Sequence, residues 1–166
     1  MLLIRTTITE DRPFDVTVRA WPKMKTEAHK KAGSYWHKHF FPRHFRYDAK
    51  RKYGHQTRRR GYLIRKQRMA AKGKALSPGT VDNVLTGAMK EALSSSLTIR
   101  AFPARATVSM IGPKYALMRP YKSSQPNKGA EMTATTEEER EKLAQVLQTE
   151  MERQLKNFRA RRKTVI

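Results

Sequence analysis

The sequence predicts an α+β fold, in which a small antiparallel sheet packs against a long helix in the N-terminal half and a C-terminal helix. Residues 97–101 and 106–110 alternate apolar and polar side chains, which is the period of a half-buried strand. Phe102-Pro103 interrupts that alternation, so the two strands are expected to form a hairpin. Apolar residues recur at helical spacing in residues 23–41 and from 137 to 158, and these stripes predict the two helices.

The length of 166 residues suits one domain, expected over residues 22–158. An N-terminal arm or hairpin (1–21) and a basic tail (159–166) are expected to flank it. The chain has no cysteine, which excludes disulfides and thiolate metal sites. No run of 18 apolar residues occurs, so no membrane partner is expected.

Charge is the dominant compositional feature, with 36 Lys and Arg against 14 Asp and Glu and a net charge of +22. Residues 1–130 hold 28 basic and 7 acidic side chains, whereas residues 131–166 hold 8 and 7. Such a surface attracts polyanions at low salt, and nucleic acid or an acidic protein partner would satisfy it.

The N-terminal half is predicted to hold a hairpin and several helices. Strand-like residues at 2–9 and 14–20 flank a turn at 10–13. The helix at 23–41 should bury a stripe, and residues 43–53 should be helical with Phe45 and Ala49 inward. Another helix is expected over residues 61–72, carrying Leu63, Ile64 and Met69, and residues 73–83 are expected to be a loop. The buried stripe of the first helix comprises Met24, Ala28, Ala32, Tyr35, Trp36 and His39 or Phe40.

The segment from residue 84 to 116 reads as a short helix at 87–93 followed by the hairpin. Three serines at 94–96 should end the helix, because serine competes for backbone hydrogen bonds. Residues 119–129 contain two prolines and a glycine, which predicts an exposed, mobile loop. Alternation over 130–135 predicts a third strand of the sheet.

The C-terminal helix has the clearest start signal in the chain. Thr136 and Glu139 have the spacing of a capping box, and acidic residues in the first turn suit the positive end of a helix. The apolar stripe of this helix comprises Leu143, Val146, Leu147, Met151, Leu155 and Phe158.

No motif indicates catalysis, and no cofactor, metal or catalytic residue is predicted. His37 and His39 are two apart on a helix and cannot face each other, and no carboxylate cluster completes a ligand set. The histidines are interpreted as partly exposed helix residues, and a histidine–metal nuclease is the remote alternative. Phosphate-loop, dinucleotide-binding and nucleophile-elbow motifs are absent from the sequence. The protein is therefore expected not to be an enzyme.

Residues 43–74 form a basic segment with 13 Lys or Arg, one acid (Asp48) and several aromatic residues. Cations could neutralise phosphates and tyrosines could stack on bases, or the same tyrosines could anchor subunit contacts. The candidate contact residues, to a subunit or to DNA, are Tyr47, Tyr53, Arg58, Arg59, Arg60 and Tyr62.

The order of these pieces resembles the neck and tail-completion proteins of tailed bacteriophages, a family also labelled minor tail or virion morphogenesis proteins. The resemblance covers roughly residues 35–155. Its pieces are FFPRHF at 40–45 after Trp36, KYGH at 52–55 with Arg58 and Tyr62, LTGAMKEAL at 85–93, two strands ending in PKYA at 113–116, a strand at 132–134, and a long C-terminal helix.

The resemblance implies a mechanical role in the virion neck, for a chain made in the host cytoplasm. Six or twelve copies would form a ring between head and tail, contacting neighbouring connector and tail proteins and leaving a channel for DNA. Surplus positive charge could face that DNA. A non-specific nucleic-acid-binding protein is the alternative that the charge leaves open.

Overall fold

A computed structural model describes residues 2–5, 20–74, 88–112 and 127–163. The chain is α+β, as the sequence predicts. Its described elements are β1 (Leu2–Arg5), α1 (Ala20–His39), a 3₁₀ helix (Phe41–Phe45), α2 (Ala49–Tyr53), α3 (Arg60–Ala71), α4 (Ala88–Ser95), β2 (Leu97–Phe102), β3 (Arg105–Met110), α5 (Lys128–Thr133) and α6 (Glu137–Lys163).

The chain divides into two compact units. One comprises residues 37–97 and 110–136, and is called the basic unit here because it contains the basic segment. The other comprises residues 2–36, 98–109 and 137–166, and is called the sheet unit. The expected single domain over 22–158 stays a prediction.

The sheet unit is built on three antiparallel strands in the order β1-β3-β2. The predicted hairpin is confirmed, since β2 and β3 are neighbours joined by a two-residue turn. Helix α1 lies against this sheet at Gly33, where an added Cβ would be 3.2 Å from the Val108 side chain. Helix α6 also packs on the sheet and buries Leu143, Leu147 and Met151.

The third strand is β1, and the prediction of a strand at 130–135 is wrong. Leu2 pairs with Val108 and Arg5 with Arg105, so β1 lies on the free side of β3. The second half of the predicted N-terminal hairpin lies outside the described residues, except Ala20, which begins α1.

Residues 128–133 form helix α5 instead of a strand. The Asn127 side chain accepts a hydrogen bond from the Ala130 N–H at 3.1 Å, which is an N-cap. Alanine and methionine are strong helix formers, so their alternation with polar residues does not specify a strand. Lys128 and Gly129, expected in the mobile loop, belong to α5, and residues 119–126 lie outside the described residues.

The basic unit starts where α1 ends and the 3₁₀ helix begins, with Pro42 in the first turn. Phe45 and Ala49 are buried, as predicted. Helix α4 ends at Ser95, whose hydroxyl bonds the Glu91 carbonyl at 2.9 Å, and this agrees with serine competing for backbone groups.

The predicted helix at 43–53 is divided into the 3₁₀ helix and α2, with residues 46–48 in neither, and the other predicted helices are present with shifted ends. Helix α1 buries Met24, Ala28, Ala32 and Trp36, whereas His39 is exposed. Helix α3 begins one residue before its predicted start. Helix α6 extends to Lys163, so residues 159–163 of the expected tail are helical.

Candidate functional site

The basic unit contains a cluster of aromatic and imidazole rings, called the ring cluster here and comprising His37, Phe41, His44, Tyr53 and His55. His44 is stacked on Tyr53 with ring centroids 3.8 Å apart, and His55 lies 5.9 Å from both. The 3₁₀ helix supplies His44, and α2 with the residues after it supplies Tyr53 and His55. His44 and His55 are buried, so the cluster forms part of the core of this unit.

Burial lowers the pKa of His44 from 6.5 to about 3, and the neighbouring charges of His55 and Lys52 add to this shift. Hydrogen bonding with the backbone of Glu131 and Ala134 offsets the shift only in part. His44 is therefore neutral at physiological pH. A neutral stacked imidazole is a packing group, and it offers no positive charge to a partner.

Three of the five histidines are buried, which contradicts their expected partial exposure. His29 belongs to the sheet unit, and its Nδ1–H donates to the Lys25 carbonyl at 2.8 Å.

In the described ranges no three His, Cys, Asp or Glu side chains are grouped so that they could hold a metal ion.

Arg58 is buried in an ion pair with Glu131. Its two terminal nitrogens donate to the two Glu131 oxygens at 3.1 and 2.5 Å, and Glu131 also accepts the Gln56 N–H at 2.8 Å. Burial and the charge of Arg58 lower the pKa of nearby Lys128. Breaking such a pair leaves a buried charge behind, so Arg58 anchors α5 to the segment before α3.

The other candidate contacts differ in accessibility. Tyr47 is 78% exposed, between the 3₁₀ helix and α2. Arg59 and Arg60 are exposed at the start of α3. Tyr62 and Tyr53 are half-buried, and the Tyr53 ring is also covered by the Lys52 ammonium at 5.9 Å. The structure therefore groups Tyr53 with the ring cluster and assigns Arg58 to the interior.

Helix α3 carries further exposed cationic side chains that were not among the predicted contacts. Arg65, Arg68 and Lys72 are exposed on or directly after α3, whereas Lys66 is buried. A helical wheel would have indicated this, because Tyr62, Lys66 and Met69 fall within one arc of α3 and the three exposed cations fall within the adjacent arc. Leu63 and Ile64 are apolar neighbours on different sides of this division, so the apolar pattern alone does not indicate it.

Comparisons with protein-family models, curated proteins and solved structures find no match to this chain. Among the described helices, none is long and apolar enough to cross a membrane. In the described part of the chain, a partner could contact the cationic surface of α3 or the separate exposed apolar side chains Tyr47, Ile64, Phe102 and Ile111.

Proposed function

We propose that this chain is a structural subunit of the head-to-tail connector of a tailed bacteriophage. Six or twelve copies would form a ring in the virion neck that joins the tail to the DNA-filled head. The observation that carries the proposal is the order of the described elements, because the resemblance rests on that order.

The resemblance requires an early helix, a basic segment, a short helix leading directly into a hairpin, and a long C-terminal helix. The chain has α1, then α2 and α3, then α4 followed by β2 and β3, and finally α6, in that order. One element departs from the pattern, since α5 takes the place of the short strand expected at 132–134. The departure affects six residues and leaves the helix–hairpin junction unchanged.

Exposed apolar side chains support an assembling role. Tyr47 and Ile111 are 78% and 73% exposed, and both belong to the basic unit. Aromatic side chains are enriched at the centres of protein interfaces and often contribute most of the binding energy. In a ring, each subunit presents two different surfaces to its neighbours, so isolated apolar side chains on separate elements fit heterologous contacts.

The test removes the gene from its phage and examines the lysate by electron microscopy. The proposal predicts filled heads and finished tails lying apart, and joined particles again when the wild-type chain is supplied from a plasmid. Joined, infective particles from the deletion phage would overturn it.

A second measurement addresses the ring. Mass photometry of the purified chain, alone and with its connector neighbours, should detect a species six or twelve times the 19.3 kDa subunit. Tyr47→Ala should weaken that species, whereas Lys38→Ala, on the exposed end of α1, should not. A chain that is monomeric under both conditions and absent from purified virions would contradict the connector role.

A further inference from the structure

The outward surface of helix α3 carries four exposed cations, called the basic face here: Arg60, Arg65, Arg68 and Lys72. At 100° per residue these positions fall within one side of the helix, opposite buried Lys66. From Arg60 to Lys72 the helix rises about 18 Å. The face is therefore a cationic stripe on a rigid element, with the partly exposed Ile64 lying between Arg60 and Arg68.

No acidic residue accompanies these cations in the sequence from 49 to 81. Within the described part of the chain, none of the four forms an ion pair. Arg65 and Arg68 are three apart, and Arg68 and Lys72 four apart, which are spacings at which like charges destabilise a helix. Arg60 also lies at the N-terminal end of α3, where the helix dipole disfavours a cation. An anion along this face would relieve all of these repulsions.

We propose that the basic face of α3 binds the phosphate backbone of duplex nucleic acid. A length of about 18 Å corresponds to roughly five base pairs along the duplex axis, at about 3.4 Å each. Guanidinium groups suit phosphate because they donate two parallel hydrogen bonds. Contacts of this kind are made to the backbone, so binding is independent of base sequence.

A nucleic acid fits this face better than a second protein subunit does. Interfaces between proteins are depleted of charge at their centres, whereas the only large apolar side chain on the basic face is Ile64, which is 37% exposed. The row of cationic side chains along α3 is complementary in charge to the row of phosphates along a nucleic-acid strand. The inference rests on charge and exposure and is independent of the connector proposal.

The test compares two triple variants with equal loss of charge. One is Arg65→Gln/Arg68→Gln/Lys72→Gln on α3. The matched control is Lys23→Gln/Lys30→Gln/Lys38→Gln on α1, where all three lysines are exposed. Binding to a fluorescein-labelled 20-base-pair DNA of arbitrary sequence is followed by anisotropy between 50 and 300 mM NaCl. Far-ultraviolet circular dichroism verifies that both variants fold.

The α3 variant should bind at least about tenfold more weakly at 100 mM NaCl, and the slope of log K against log salt should become shallower by about 2.7. The α1 control should change affinity less than about threefold, with the slope preserved. Equal losses in both variants would overturn the proposal, because only total charge would matter. Unchanged DNA binding with an altered oligomer mass in the α3 variant would also overturn it, and would assign the face to a neighbouring subunit.

Discussion

The residue that most clearly links local chemistry to stability is His44. Its ring is stacked against Tyr53 in the core of the basic unit, next to a second buried histidine. The unfolded chain would take up a proton on this imidazole near pH 6.5, but the folded chain would not do so until about pH 3. Folding therefore opposes protonation of His44, and this group lowers the stability of the folded protein in acid.

Those two pKa values determine the direction of the pH dependence of stability and the pH range in which it occurs. Above pH 6.5 neither state is protonated at His44, so this group adds no pH dependence there. As the pH falls from 6.5 toward 3, the unfolded state binds a proton that the folded state excludes. We expect the free energy of unfolding to fall by about 2 kcal/mol between pH 7.5 and pH 5 through His44 alone.

Urea unfolding at pH 7.5 and pH 5 measures this effect. His44→Gln, or His44→Phe if the glutamine variant does not fold, should remove about 2 kcal/mol of the difference between the two pH values. His39→Gln, at the exposed end of α1, should leave the difference as in the wild type. An unchanged difference in the His44 variants would show that the stack does not exclude the proton.

At the scale of elements, the sheet unit depends on close contact between α1 and the sheet. Gly33 is buried on α1, and a Cβ there would lie 3.2 Å from Val108 Cγ2 and 3.4 Å from Ile99 Cγ2. Val108 is itself fully buried, so it has little room to move. A larger residue at 33 would push the helix away from β2 and β3.

Gly33→Val should therefore destabilise the protein by about 1–3 kcal/mol, since overpacking outweighs the gain in helix propensity. Gly61→Ala is the contrasting variant, because no atom lies within 4 Å of the added Cβ and Gly61 is in the first turn of α3. That change should stabilise the protein by about 0.5–1 kcal/mol. Thermal unfolding of both variants decides the matter, and a stabilised Gly33→Val would refute the close packing.

Elements with long, regular periodicity could be predicted from sequence, and those fixed by distant partners could not. The stripes of α1 and α6 and the alternation of β2 and β3 are local signals, and each is found near its predicted position. The pairing of β1 with β3 joins residues about a hundred positions apart, and no local pattern specifies it. Arg58 was predicted to contact a partner, because no local pattern indicates that it pairs with Glu131, which is 73 residues away.

At the scale of the whole molecule, the question is which electrostatic effect dominates. The chain carries a net charge of +22, and such an excess destabilises a compact state by self-repulsion. Opposing it are surface ion pairs such as Arg140–Glu137, whose side chains are 60% and 72% exposed. Exposed pairs of this kind contribute about 0–1 kcal/mol each.

Self-repulsion should outweigh the ion pairs, because 36 Lys and Arg act together and the sequence has only 14 Asp and Glu to pair with them. Two like charges about 10 Å apart in water repel by about 0.4 kcal/mol, and about 0.1 M salt screens much of this. We therefore expect Tm to rise by at least about 3 °C between 20 and 300 mM NaCl, since roughly 1 kcal/mol shifts Tm by about 2–4 °C at this size. The α3 triple variant should gain less from salt than the wild type, because it starts with less repulsion along the basic face. A Tm that falls as salt is added would mean that surface ion pairs outweigh the net charge. It would also contradict the inference that the cations of α3 repel one another and favour a bound anion.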